Sequence, residues 1–376
     1  MNFEKITEYL NSLVKDKIAP GTDCMITQNH NCIYRYYTGF SDIKNQKHIN
    51  GNEQYIIFSM TKMITCVCAL QLLEQGKYQL DDPLSVYMPE FSKMRVKSDG
   101  VRKHYAQTPI TIRHLFSMAA GFNYNVEEKC IKKAAKKKDS TTRSIVSSFS
   151  ETTLDFEPGK HFQYSLCHDV LGALIEIWSG MKFSEYFEKN IAEPLGMKHT
   201  FFAKYHNEEV ENLAQVYKVN PHEDFDDRPQ WNPYILSDSY ESGGAGLIST
   251  TEDYSLFLDA LANDGAAANG NRILQKETVE LMRTNQLSDA QLEDFHKMRK
   301  GYGYGLGVRT HTCPEESGSL SPVGEFGWDG AAGAFSMVDP INHISLTYFQ
   351  LALGWDVKTH EKLRNLLYEE INKTKN

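Results

Sequence analysis

The sequence predicts a mixed α/β fold in which both ends of the chain build one antiparallel sheet and the middle forms a helical insertion. Segments 24–28 and 32–40 are rich in strand-forming residues and flank a polar turn, as in a hairpin. Segments 334–338 and 343–349 show the same arrangement near the other end of the chain. Between these two hairpins the pattern is mainly helical, which places the insertion there.

Helical patterns lie at both termini and recur through the middle. The first helix is amphipathic and has charges between its apolar residues, which are Phe3, Ile6, Leu10 and Leu13. It has no continuous apolar core, so we do not interpret it as a signal peptide. Further helices are predicted at 111–119, 166–178, 254–262 and 357–372. This order predicts a discontinuous α/β sheet domain from residues 1–80 and 240–376, and a mainly helical domain from residues 81–239.

An apolar run ends at Ser59, and a helix is predicted to follow it. The apolar residues beyond it recur at helical spacing and are Met60, Met63, Ile64, Val67 and Leu70. Ser59 therefore falls at a helix N-terminus, where free backbone N–H groups and the macrodipole favour negative charge. Lys62 leaves the same helix face, about 5–6 Å away at Cβ. A hydroxyl beside an amine at such a helix end is the setting of an activated serine nucleophile.

The Ser-x-x-Lys spacing is not sufficient by itself. It occurs four times, starting at Ser12, Ser41, Ser59 and Ser179. Only Ser59 has an apolar approach followed by a helix of the buried type. Ser59 could equally be a plain N-cap whose hydroxyl binds a backbone N–H group, so the choice depends on partners elsewhere in the chain.

Two other stretches have the character of partners for Ser59. In the first, Tyr164 stands where a loop enters the helix predicted at 166–178; alone, it could be a core tyrosine with a satisfied hydroxyl. In the second, residues 324–333 cluster small side chains before a strand, which lets the backbone approach a ligand closely. A backbone N–H group there could form an oxyanion hole with that of Ser59, although the stretch could also be only a turn.

The three stretches together resemble the serine β-lactamase and penicillin-recognising family, and more closely its class C β-lactamase and family VIII esterase branch. Residues 59–62 match the motif Ser-x-x-Lys. Residues 164–166 take the place of Tyr-x-Asn, and residues 328–330 that of Lys-Thr-Gly, which varies to Trp-x-Gly in the esterase branch. The resemblance covers about residues 15–355. It implies a β-lactamase/transpeptidase-like fold, with a central antiparallel sheet flanked by helices, a helical domain, and the site between them.

The resemblance also implies a role for each matched residue. Ser59 is the nucleophile that forms a covalent acyl ester, and Lys62 and Tyr164 act as a coupled base pair. Tyr164 protonates the leaving group and then activates water. The oxyanion hole is formed by the backbone N–H groups of Ser59 and Ala331. Neither a metal nor another cofactor is expected.

The expected substrate-binding residues are Trp328, Asp329, Gly330, Leu166 and His168. The chain departs from the family pattern at three of them, which are Leu166, Trp328 and Asp329. Leu166 replaces an asparagine, and His168 could take over some of its polar contacts. Trp328 replaces the lysine that holds a substrate carboxylate in lactamases. Asp329 replaces a threonine and would repel a carboxylate at about 4 Å by roughly 4 kcal/mol at an effective dielectric near 20. The departures predict good turnover of neutral or cationic esters and poor turnover of penicillins and cephalosporins.

The composition indicates which classes of partner and which cellular compartment to expect. The net charge of −9 argues against nucleic acid as a partner. No stretch approaches the roughly 20 apolar residues of a membrane-spanning helix. The odd number of cysteines, seven, and the absence of a secretory signal predict free thiols and a cytoplasmic location. The expected partner is a small-molecule ester or amide, and oligomeric state is left open.

A lysine-rich segment at residues 127–138 carries six lysines with Ile131 and alanines between them. One interpretation is a solvated helix face, and the other is a mobile lid over the site.

Three functions follow from the sequence. The leading one is a serine hydrolase, an esterase or amidase that forms an acyl-enzyme on Ser59. The second is a true β-lactamase or a D-amino-acid peptidase. The third is a non-catalytic binding protein on the same fold, because fold alone does not fix function.

Overall fold

The structure is a computed structural model that describes residues 1–98, 102–204, 210–219, 225–228 and 232–373. Its largest sheet has eight strands, and every neighbouring pair in it is antiparallel. The spatial order of its strands is Tyr302–Tyr304, Arg309–His311, Phe326–Gly327, Phe335–Asp339, Ile344–Phe349, Gly21–Gln28, Asn31–Asp42 and Lys47–His48. Both ends of the chain thus contribute to one antiparallel sheet, which confirms the predicted fold class.

The two chain ends meet in the middle of this sheet. Strand Gly21–Gln28 pairs with Asn31–Asp42 through the predicted hairpin and with Ile344–Phe349 on its other side. Register runs from Asp23 opposite Phe349 to Gln28 opposite Ile344. Because the last strands pair with the first, the long middle of the chain must leave the sheet and return to it.

Helices cover both faces of the sheet. The terminal helices Glu4–Lys15 and Lys358–Lys373 pack on one face, where Leu10 and Leu367 share a buried cluster with Leu346. Helix Thr251–Ala262 lies on the other face, where Ser255 donates a hydrogen bond to Thr347 at 2.8 Å. Adjacent strand residues point to opposite faces, so Leu346 and Thr347 contact different helices.

The middle of the chain is mainly helical but not wholly so. Its α-helices are Ile112–Phe116, Lys129–Ala135, Thr142–Ser147, Cys167–Ser179, Phe183–Phe187 and Glu193–Leu195. Three small sheets of three short strands each lie outside the large sheet. The first consists of Arg95–Ser98, Arg102–Tyr105 and Thr153–Leu154, and the second of Tyr55–Ile56, Leu247–Ser249 and Phe201–Phe202. The third consists of Tyr217–Lys218, Asp226–Asp227 and Ala352–Leu353. The division of the chain into two domains stays a prediction.

Local signals explain most of the helix ends. Thr111 caps the helix Ile112–Phe116 by accepting from the N–H of His114, but this helix stops before the predicted residue 119, and Met118 has a left-handed φ of 58°. Helix Cys167–Ser179 ends at Gly180, whose φ is 72°. That conformation suits glycine because it has no Cβ.

The remaining helices lie in the second half of the chain and around Ser59. They are Thr61–Glu74, Lys276–Arg283, Asp289–His296 and Pro314–Ser317, and 3₁₀ turns occur at Phe58–Met60, Leu84–Val86, Pro89–Lys93 and Ser148–Glu151. A π-helical turn covers Glu188–Ala192. Of all the helices in the described part of the chain, none is long and apolar enough to cross a membrane.

Candidate active site

The nucleophile candidate sits at the start of the most buried helix. Ser59 belongs to the turn Phe58–Met60, which leads directly into Thr61–Glu74, where residues 61–72 are all buried. This helix, hereafter the Ser59 helix, contacts Cys167–Ser179. The residue before Ser59, Phe58, is fully buried with a left-handed φ of 45°. A bulky residue in this conformation is strained, and such strain is typical of functional sites.

Ser59 does not act as a simple helix cap. The N-cap residue of the Ser59 helix is Met60, and no side chain caps this end. The Ser59 side chain is half-buried, and its hydroxyl accepts a hydrogen bond from Nζ of Lys62 at 3.3 Å. The hydroxyl therefore contacts a titratable group and remains partly open to solvent.

Lys62 is fully buried and held by three oxygen atoms. Besides Ser59, its Nζ donates to the hydroxyl of Tyr124 at 2.8 Å and to the carbonyl of Gly244 at 2.7 Å. Burial disfavours its charged form and lowers the pKa of Lys62 to about 7. The carbonyl of Gly244 can only accept, so a neutral Lys62 keeps an N–H there and can turn its lone pair toward Ser59. This is the arrangement of a general base.

Tyr164 lies across Lys62 from this network. Nζ of Lys62 is 4.5 Å from the centroid of the Tyr164 ring, and the Tyr164 hydroxyl accepts from Nε1 of Trp328 at 3.1 Å. Burial raises the pKa of Tyr164, although hydrogen bonds with Ser59 and Trp328 oppose the rise. A tyrosine that acts as a base needs a lowered pKa, whereas burial here raises the pKa of Tyr164. Tyr164 is thus a phenol near neutral pH and suits the role of proton donor.

Tyr124 is part of the site, and the sequence analysis assigned it no role. Its hydroxyl binds Lys62, and its ring stacks on Tyr164 at 5.5 Å and meets the edge of Tyr234 at 4.9 Å. It lies in a loop just beyond Gly121, whose φ is 90°. A single aromatic residue in a loop has no periodic signal, so only the tertiary structure reveals its position.

Asp169 organises the backbone that holds Lys62. Its carboxylate accepts from the hydroxyls of Ser242 at 2.6 Å and Tyr240 at 2.8 Å. A Cβ on Gly244 would lie 2.5 Å from Oδ2 of Asp169, so only glycine fits at this contact. Burial raises the pKa of Asp169, and the hydrogen bond from Ser242 opposes the rise. Asp169 thereby fixes the turn that presents the Gly244 carbonyl to Lys62.

Two predicted substrate-binding residues, His168 and Leu166, are buried. His168 is 0% exposed, and its Nε2 is 3.2 Å from the carbonyl of Phe116. Burial, followed by the charge of Lys62, lowers the pKa of His168 to about 3, so the ring is neutral. Leu166 is 5% exposed and stands at the N-cap of helix Cys167–Ser179. The structure therefore does not bring His168 to a surface that a substrate could reach.

Trp328 and Asp329 are held by partners distant in sequence. The Trp328 ring lies 5.4 Å from Tyr164 and 5.1 Å from Tyr304. Asp329 forms an ion pair with Arg299, and its Oδ1 lies 3.6 Å from Nδ1 of His360. Burial alone would raise the pKa of Asp329, but these neighbours hold it well below its usual range. The Asp329 charge is therefore compensated by Arg299.

The segment after Asp329 runs beside the residues that precede Ser59. A Cβ on Gly330 would lie 2.7 Å from the carbonyl oxygen of Ile57, so glycine is required for this approach. The next residue, Ala331, accepts from Nε1 of Trp355 at 3.1 Å through its carbonyl. Among the described residues, the Ala331 N–H donates no hydrogen bond. That N–H group is thus available for the predicted oxyanion hole.

The lysine-rich segment forms the short helix Lys129–Ala135, with Ile131 and Ala134 buried. Lys132 pairs with Glu127 on its exposed side. Tyr124 and Val126 connect the segment to the site along the chain. Its action as a lid stays a prediction. Within the chain portions described, no group of three or more His, Cys, Asp or Glu residues could hold a metal ion.

We expect Asp169→Asn to shift the pH dependence of the reaction at Ser59. Asp169 is the main charge that raises the pKa of Lys62 against burial, so its removal should lower that pKa further. Neutral Lys62 would then persist to lower pH, and the acidic limb of kcat/KM should move to lower pH. Measured pH profiles of wild type and variant test this. A uniform loss of activity with an unmoved limb would contradict it and leave Asp169 a purely structural role.

Comparison with known proteins adds family information to this geometry. A family model described as Beta-lactamase matches residues 7–368. The chain is similar to Protein Rv1367c of Mycobacterium tuberculosis, with 28% identity over 345 residues, 88% of this chain and 85% of that protein. It is also similar to Esterase EstB of Burkholderia gladioli, with 24% identity over 350 residues, 87% of this chain and 84% of that protein. The solved structure of EstCE1, a hydrolase with promiscuous acyltransferase activity, has a TM-score of 0.81 at 24% identity and covers 97% of this chain and 98% of its own.

Proposed function

Because the chain belongs to the Beta-lactamase family of serine hydrolases and has its fold, we propose that it hydrolyses small esters or amides through an acyl-enzyme on Ser59. The observation that carries the proposal is the buried Lys62, whose pKa is lowered to about 7 and whose Nζ contacts the Ser59 hydroxyl at 3.3 Å. An amine in this state can take the serine proton near neutral pH.

The acylation step follows from these contacts. Oγ of Ser59 attacks the substrate carbonyl carbon while its proton passes to Nζ of Lys62. The oxyanion receives hydrogen bonds from the N–H groups of Ser59 and Ala331. The leaving oxygen or nitrogen takes the proton of the Tyr164 phenol as its bond to carbon breaks. The proton held by Lys62 then returns Tyr164 to its phenol form.

Deacylation repeats the chemistry with water in place of the leaving group. Water attacks the acyl carbon, and its proton passes to the Lys62–Tyr164 pair. The bond to Oγ of Ser59 then breaks, and the serine recovers a proton from the same pair. Because Lys62 and Tyr164 pass the same proton in both steps, the two residues act as one unit.

The proposal extends to the charge of the leaving group. Repulsion by Asp329 requires that its carboxylate face the substrate unpaired, but Arg299 compensates its charge. This weakens the repulsion from which poor binding of a carboxylate was predicted, and the preference for neutral or cationic substrates stays a prediction. Trp328 still supplies no positive charge where lactamases have a lysine. We accordingly propose that the enzyme accepts neutral leaving groups and gains nothing from a carboxylate there.

A matched pair of esters tests this proposal. We expect phenyl acetate to be hydrolysed with a kcat/KM at least equal to that of 3-carboxyphenyl acetate, and nitrocefin to be a poor substrate. A clear preference for the carboxylate-bearing ester, or efficient cleavage of nitrocefin, would favour a β-lactamase or D-amino-acid peptidase instead. Absence of both ester turnover and covalent labelling by a fluorophosphonate would favour the non-catalytic binding protein.

A further inference from the structure

A cleft lies between the lysine-rich segment and residues 232–236. Its volume is about 600 Å³. Most of its lining is apolar and consists of Val126, Ile131, Ala135, Pro233, Ile235 and Leu236. Its charged lining residues are Glu127, Lys132 and Lys136. An apolar cleft with a few charged groups at its edge is typical of a site for a small amphiphilic molecule.

The cleft adjoins the candidate active site through two aromatic residues. Tyr124, which binds Lys62, precedes the lining residue Val126 by two positions, and Tyr234 stands between two lining residues and contacts Tyr124. A third link is Asn232, whose side chain donates to the carbonyl of Ala245 at 2.8 Å, next to Gly244. One side of the cleft thus packs against Tyr124, which binds Lys62.

The order of the aromatic residues indicates how the substrate is oriented in the site. Trp328 contacts Tyr164, Tyr164 stacks on Tyr124, and Tyr124 meets Tyr234. The proton donor Tyr164 must lie at the leaving atom, on the side of Trp328. The acyl group of the substrate then extends past Tyr124 and Tyr234, toward the cleft.

The charges at the edge of the cleft favour an anion. Lys132 and Lys136 are four residues apart, so they share one side of the lysine-rich segment. Lys132 pairs with Glu127, whereas Lys136 forms no ion pair within the described residues. The cleft edge therefore carries net positive charge. The neighbouring Lys133 lines a different cleft together with Lys137, Glu90 and Glu151.

We propose that this cleft binds the acyl chain of the substrate, and that the chain is apolar and ends in an anionic group held by Lys132 and Lys136. The inference rests on the proposed function, because it assigns the acyl side of the same reaction. It gives the lysine-rich segment a role in substrate selection. The anionic group is a carboxylate or a phosphate, and the chain length is fixed by the distance from Ser59 to the lysines.

The test uses paired p-nitrophenyl esters of increasing chain length. One series is made from adipic, suberic and sebacic acids with a free distal carboxylate, and the other carries a methyl ester at that position. A third series with a distal phosphate distinguishes the two anions. In the wild type we expect kcat/KM for at least one anionic ester to exceed that of its capped partner by about twofold to fivefold, as expected for exposed charge pairs. The preference should decrease as salt concentration rises.

Two double variants identify the lysines responsible. Lys132→Gln with Lys136→Gln should abolish the preference by lowering kcat/KM for the anionic esters to the level of the capped ones. Lys133→Gln with Lys137→Gln removes the same charge on the other side of the segment and should keep the preference. Equal turnover of anionic and capped esters by the wild type, or equal losses in both variants, would overturn the inference. Failure of every ester, capped ones included, would instead refute the proposed function.

Discussion

Replacing Ser59 by alanine is expected to abolish labelling by a fluorophosphonate and to reduce ester turnover by about 10⁴-fold or more, as in other serine hydrolases that lose their nucleophile. The reason is that, among the described residues, no other hydroxyl of the Ser-x-x-Lys sites contacts a lysine amine; that of Ser41 donates to the backbone carbonyl of Lys47 at 3.3 Å. Ser12 donates to the carbonyl of Tyr9 at 2.7 Å, and Ser179 donates to that of Ile175 at 2.6 Å. Both hydroxyls serve helix backbone carbonyls and have no base beside them.

The measurement is intact-mass detection of the adduct followed by peptide mapping. Ser179→Ala is the matched control, since it removes a serine of the same spacing and should leave labelling and turnover unchanged. Circular dichroism of each variant shows whether it is folded. An adduct mapped to any serine other than Ser59, or residual stoichiometric labelling of Ser59→Ala, would disprove the assignment of the nucleophile.

The parts of the site that follow from local sequence could be predicted. Ser59 and Lys62 are three residues apart on one helix, so their contact is set by helical geometry. The hairpin of Gly21–Gln28 and Asn31–Asp42 likewise follows from alternation around a polar turn. In each case the two partners are close in sequence, and a short pattern determines their relative position.

The partners that complete the site could not be predicted in the same way. Tyr124 and Gly244 meet Lys62 from 62 and 182 residues away in sequence, and neither has a distinctive local pattern. Asp329 was expected to face a substrate, but Arg299, 30 residues earlier, compensates its charge. Contacts of this kind depend on how helices and strands pack, which hydrophobic periodicity does not specify.

Burial also decided which titratable residues can act. His168 lies one turn beyond Tyr164 in sequence, yet it is enclosed in the core and its pKa is lowered to about 3. Burial acts in opposite directions on Lys62 and Tyr164, because it disfavours a charged amine and a charged phenolate alike. The sequence places both residues in one pocket, whereas their division into base and acid requires the structure.

Lys62→Met and Tyr164→Phe are each expected to reduce kcat by at least about 100-fold, the low end for loss of a general acid–base group. Their effects should not multiply in the double variant, because the two residues share one proton in the same steps. Fully multiplicative losses would show that they act independently and would contradict the proposed pair.

The pH dependence of the same variants separates the roles of the two residues. Only the neutral amine of Lys62 can take the serine proton, so wild-type kcat/KM should rise with pH through the lowered pKa of about 7. Tyr164→Phe should retain this rise at its lower rate, because Lys62 is still present. Lys62→Met should lose it, since no other group in the acylation step titrates there. A rise near pH 7 that survives in Lys62→Met but disappears in Tyr164→Phe would reverse the assignment and make the tyrosine the base.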